Sequence, residues 1–294
     1  MLNAFWESLS GEVTSRWARH LLGPGLLFWA LGGLALAQRG DLALLWAEMS
    51  QRSGLEQTLM IAAAVLMLIL SAALMQRLRL EWLRLLEGAW PAGLNGLRDL
   101  LTRRLAHRIA REETRYQDLK QAEAALTPRQ REELARLEMH LHYVPADPAD
   151  YGPTRLGNIL RAGERDSAYK YGLDALVCWP RLWLLLPAEA RNDLAQARER
   201  LEEDAVLWGW GLLSLVWVAL FPPLGLISLI WMVVAYNLAL RSASVYADLI
   251  MATFDLYRHK LYTTLGWPLP PPGEAERTHG EKLSEYFWRG TLPE

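Results

Sequence analysis

Arg155, Asn158, Arg161, Arg165 and Lys170 fall in one short stretch of this chain. Cations at this spacing, with an amide among them, have the chemistry of an anion site, for lipid phosphate, nucleotide or peptide carboxylate. The stretch follows a loop rich in Pro and Asp, VPADPADYGPTRLGN. If it opens a helix, the first turn adds N–H donors that have no intrahelical acceptor. Asn158, Arg161 and Arg165 rank first as ligand or partner contacts, because charge is densest there and an apolar, Trp-bearing segment follows. Glu164, Asp166 and Asp174 lie close enough in sequence to neutralise the same cations as internal ion pairs.

A second set is Glu202, Glu203 and Asp204, directly before a charge-free block. Repeated around a symmetric oligomer, they would form an acidic pore mouth that favours cations. Arg198 and Arg200 stand one helical turn earlier and offer pairing instead. His140 and His142, with Asp147 and Asp150, are metal-capable types. Two residues apart on a helix they point in different directions, so no metal site is expected. Cys178 sits in an apolar run, where a thiol is hard to ionise. Ser167 has no supporting pattern, and no phosphate-loop, dinucleotide or metalloprotease motif is present. No catalytic residue and no cofactor are expected.

The elements that position these residues follow from where the apolar residues fall. The chain has 294 residues, 52% hydrophobic and 22% charged, with 14 Trp, one Cys and a net charge of −2. That excludes wholesale disorder and a disulfide-stapled scaffold, and it argues against nucleic-acid binding driven by bulk charge. Leu21–Ala37, Thr58–Met75 and Ala205–Leu240 carry no charge, and Pro222-Pro223 divides the last. A bilayer crossing needs about 20 apolar residues. Four spans are expected, at 21–38, 57–76, 205–221 and 223–241.

The expected fold is therefore all-α: a four-helix polytopic membrane protein, two transmembrane hairpins with a helical cytoplasmic domain inserted between them. Its parts are an amphipathic interfacial helix at 1–20, hairpin one at 21–76, the cytoplasmic domain at 77–204, hairpin two at 205–241, and a C-terminal extension with a Pro-rich tail at 242–294. Arg77, Arg79, Arg84, Arg191, Arg198, Arg200, Arg241 and Arg258 flank the spans on one side. The positive-inside rule then puts both termini in the cytoplasm, and a prokaryotic inner membrane is the expected location. A competing expectation treats Ala35-Leu36-Ala37 as a signal-peptide cleavage site. Trp17, Trp82, Trp208 and Trp210 fit a boundary belt, whereas Trp29, Trp217 and Trp231 sit mid-span.

Between the hairpins, helices are expected over 77–87, 97–125 and from 128 to before Pro145. Thr127, Pro128 and Gln130 form a capping-box start. The second and third should pair antiparallel. Ala188 should run into the third span without a break, the fourth span should extend to about Thr264, and a last helix should cover 281–288. In topology alone, with no shared motif, this layout resembles bestrophin-type bacterial channels. Two functions are expected: an oligomeric ion channel or pore gated by its cytoplasmic domain, or a membrane-anchored scaffold or assembly factor docking partner proteins there. The partners are the lipid bilayer, further copies of the chain and a protein at the cytoplasmic domain, with no nucleic acid. No ionisable residue lies inside any span, which counts against a pump.

Overall fold

The computed structural model describes residues 23–40 and 47–290. The interfacial helix expected at 1–20 lies outside the described residues. Helices are α1 (Gly23–Gln38), α2 (Gly54–Arg77), α3 (Arg79–Glu87), α4 (Asn95–Gln121), α5 (Pro128–His142), α6 (Arg155–Tyr171), α7 (Ala175–Leu185), α8 (Ala188–Leu213), α9 (Leu224–Tyr257), α10 (His259–Leu265) and α11 (Glu274–Arg289). Short 3-10 turns connect several of them, and no strand occurs among the described residues. The all-α class read from the sequence holds.

Among the described residues two helices, α2 and α9, are long and apolar enough to cross a membrane. The other expected spans differ. α1 is apolar but only 16 residues long. The third apolar block divides between the end of α8 and a 3-10 segment, Ser214–Ala219. Ser214 is the local cause: its hydroxyl donates to the Gly211 carbonyl at 2.6 Å and meets Ser228 Oγ at 2.7 Å. Such back-bonding competes with the α-helical ladder. α9 stops at Tyr257, and Arg258 leads into the separate α10. α11 starts at Glu274, earlier than the expected 281.

The chain divides into two compact units: Met1–Leu83 with Glu202–Ala239, and Arg84–Leu201 with Leu240–Glu294. In the first, Phe28, Met75, Val206 and Trp210 are buried together, with Trp29, Trp82, Trp217 and Trp231 packed around them. Phe28 lies 5.2 Å from both the Trp210 and the Trp217 ring centroids. The mid-span tryptophans thus form an aromatic core, and Trp82 and Trp210 join it rather than a boundary belt. Gly32 makes this possible, since a Cβ there would stand 2.6 Å from the Trp217 ring.

The second unit has two parts. α4 and α5 pair as expected, through Leu119, Leu126 and Leu137 and a two-pronged Arg115–Glu133 pair at 2.9 and 3.1 Å. The Thr127–Gln130 capping box forms. The main core gathers Leu173, Cys178, Leu182, Phe254, Leu261, Tyr262 and Leu283 from α7, α9, α10, α11 and the turn after α6. Close backbone approach holds α6 in place. A Cβ on Gly163 would stand 2.9 Å from Ala247, and one on Gly280 would stand 1.9 Å from the Tyr171 carbonyl. Gly172 ends α6 at φ +67, a left-handed cap that L side chains rarely adopt.

Candidate functional site

The five cation-and-amide residues all lie on α6, capped by Thr154, whose hydroxyl accepts from the Gly157 N–H. The structure brings some of them together and separates others. Arg165 pairs with Asp150 at 3.4 Å, and Lys170 pairs with Asp166 at 2.9 Å and faces Asp255 at 3.8 Å. Both cations are held in internal ion pairs; Asp166 was among the competing acids expected from the sequence, and Asp150 was not. Arg161 lies across Gly152, where any side chain would collide with its guanidinium. Its Nη1 is buried with no hydrogen-bond partner.

Arg155 and Asn158 face a different neighbourhood. With Leu105 and Ile109 from α4, His140 from α5, Tyr143, Val144 and Ile159, they line a small cleft that encloses a cavity of about 10 Å³. Asn158 is 2% exposed. Its Oδ1 accepts the Gly152 N–H at 2.6 Å, which fixes the amide orientation, because only the oxygen can accept. The Nδ2 group is then left without a partner. Among the described residues Arg155 makes no hydrogen bond or ion pair.

His140 and Glu112 were not legible as partners in the sequence. Their side chains meet at 2.6 Å across the α4–α5 hairpin, and Arg108 donates to the same carboxylate at 2.9 Å. Burial tends to raise the Glu112 carboxyl, but Arg108 and His140 outweigh it and hold it below the usual range. Burial lowers His140, helped by Arg155 and Arg108, against the pull of Glu112. His142 points elsewhere, to Asp248 at 3.6 Å, as two histidines two apart must. No group of three metal-capable side chains occurs among the described residues.

The loop before α6 is pinned from both sides. Tyr169 donates to Asp150 at 2.5 Å, and the Asp147 N–H donates to Tyr169. Tyr143 donates to Asp248 at 2.8 Å. The Asp-rich loop therefore serves as structure around the cleft, a role that spacing alone did not reveal.

The acidic set is less open than the sequence suggested. Glu202 is buried and pairs with Arg79 at 3.2 Å. Glu203 and Asp204 are half-buried and have partners of their own. Elsewhere in this first unit, an open apolar groove of about 390 Å³ runs along α2, bordered by Trp29, Met67, Leu70 and Ser71. The Trp29 indole N–H donates to Ser71 Oγ there at 3.2 Å.

No family model, curated protein or solved structure matches this chain. Its function therefore has to be read from its own geometry.

Proposed function

We propose that this chain is an integral membrane protein that anchors a helical docking module, and that the module engages its partner through the cleft at α6. The observation that carries the membrane part is α2. It is apolar around its whole circumference, and only 11% of its most apolar window is buried. Leu55, Leu59, Ile61, Leu66, Leu70 and Leu74 are all largely exposed. Water-soluble proteins rarely leave apolar patches of that size open, whereas hydrocarbon is a good solvent for them. Ser53 and Glu56 close a capping box at its start, and Arg77 marks its end. That leaves a charge-free run of bilayer length between polar ends.

In the full reading all four apolar blocks cross, residues 77–204 and both termini face the cytoplasm, and the membrane is a prokaryotic inner membrane. Copies of the chain assemble there as a homo-oligomer. Docking is favoured over a gated pore because Arg79 already occupies Glu202, so the inner end of the third block offers fewer free acids for a ring. The α6 cleft, by contrast, keeps an unpaired arginine and an unpaired buried amide.

Three measurements test this. The protein should stay in the pellet after alkaline carbonate extraction, and release into the supernatant would remove the membrane reading. In a Cys178→Ser background, K120C should label with an impermeant maleimide only from the cytoplasmic side and F221C only from the opposite side. Labelling of both from one side would overturn the topology. Steady conductance of the purified protein in planar bilayers would replace docking with the pore.

A further inference from the structure

The α6 cleft contains an unmet demand that specifies its ligand. Asn158 Nδ2 is a donor pair fixed in direction by the Gly152–Oδ1 bond, 2% exposed and without an acceptor. Leaving a buried donor unmade is costly, so such groups nearly always find a partner. The cavity it lines, about 10 Å³, has room for one atom the size of a water oxygen. Arg155 lines the same pocket, and it is exposed and unpaired.

Two arginines, Arg155 and Arg108, act on His140, which lines the cleft, and the Asp248 carboxylate accepts from Tyr143, which also lines it. Glu112, the carboxylate nearest His140, is tied to Arg108 and His140. The 17-residue α6 directs its N-terminus to the same place, and the Arg155 and Leu156 amides precede the first i−4 acceptor of the helix. A helix N-terminus alone would mean little, but here a buried, unpartnered amide on the same turn lines the cavity.

We propose that this cleft binds a phosphate group, with one oxygen in the small cavity accepting from Asn158 Nδ2 and the others at the mouth meeting Arg155. Phosphate suits the arrangement because one oxygen is enclosed while further oxygens remain for the guanidinium fork. The group is either inorganic phosphate or the headgroup of an anionic phospholipid, since both present the same oxygens. The proposal gives the docking cleft a ligand class, and it stands whether or not α2 crosses a bilayer.

The test uses the full chain in neutral detergent. Calorimetric titration with sodium phosphate, and with acetate at matched ionic strength, reads the free anion. Native mass spectrometry after reconstitution in phosphatidylcholine discs, with and without phosphatidic acid, reads the headgroup. Asn158→Asp keeps the acceptor for Gly152 and replaces the donor with an oxygen, and Arg155→Gln removes the guanidinium. Each variant should weaken binding at least about tenfold, as expected for loss of a charge-assisted contact; Arg155→Gln, at an exposed position, should do so while unfolding at the wild-type temperature, whereas a carboxylate at the buried position 158 lowers that temperature. Phosphate binding lost in both variants identifies the free anion, and phosphatidic acid retention lost in both identifies the headgroup. Binding of neither, equal binding by the variants, or acetate binding as tightly as phosphate would overturn the proposal and leave the cavity to a water molecule.

Discussion

Arg258 stands where α9 ends and α10 begins, and it pairs with Glu276 on α11. The Nε–Oε1 distance is 2.6 Å, and the two side chains are only 14% and 6% exposed. The guanidinium also lies 4.0 Å from the Tyr171 ring centroid and donates to the Asp255 carbonyl. Removing one member of a buried pair leaves the other charged and unmatched, which costs about 3–5 kcal/mol. Arg258 keeps two of its contacts in the Glu276→Leu variant, so the lower end, about 3 kcal/mol, is expected. For a unit of this size that corresponds to a fall in Tm of roughly 6–12 °C.

The double variant Arg258→Met/Glu276→Leu removes both charges together. It should lie closer to wild type than Glu276→Leu alone, because the stranded cation is gone. Thermal unfolding in detergent, followed by intrinsic Trp fluorescence, measures all three proteins. If Glu276→Leu shifts Tm by less than about 2 °C, the pair contributes little and the magnitude above is wrong. If the double variant is no more stable than the single, the loss comes from packing around Glu276 and the buried-charge account fails.

Gly280→Ala should destabilise the second unit by about 1–3 kcal/mol, because its Cβ meets the Tyr171 carbonyl at 1.9 Å and backbone must move; a neutral effect in thermal unfolding would show that α6 and α11 approach less closely. Burial pushes the Cys178 thiol up to about 12, so maleimide at pH 8 should leave the native protein unlabelled and label it fully in denaturant. Burial, with Glu164 adding and Arg198 opposing, raises the Glu87 carboxyl above its ordinary value of 4.5. A raised acid contributes its full stability below the unfolded-state value and loses it as pH climbs through the folded one. Glu87→Gln should therefore raise Tm at pH 7.5 and leave it unchanged at pH 4, and equal shifts at both would show that ionisation is not the cause.

Much of the fold was legible because it depends on local signals. The Thr127–Gln130 capping box and the Leu119, Leu126 and Leu137 spacing each act within a few turns, and they placed the α4–α5 hairpin. The break in the third apolar block was not legible, because it depends on Ser214 finding Ser228 fourteen residues away. The mid-span tryptophans were equally opaque. A composition rule assigns indoles to the membrane boundary, whereas Gly32 admits the Trp217 ring against its backbone and makes an aromatic core more favourable there.

The site divides along the same line. The sequence picked out α6 by charge density, and it anticipated that neighbouring acids would compete for the cations. Which cations would lose that competition depended on the Asp-rich loop. Asp150 reaches Arg165 only because Tyr169 and Asp147 hold the loop against α6. The same loop presents the Gly152 N–H to Asn158, which fixes the amide and leaves its donors without a partner. Charge density alone singled out Arg165 and Lys170, which the structure places in ion pairs, as readily as Arg155, which lines the cleft without one. In the proposed phosphate site the residue that would do most to define the ligand is a neutral one, Asn158, since its unmet donors are fixed by a backbone bond that no pattern of charges encodes.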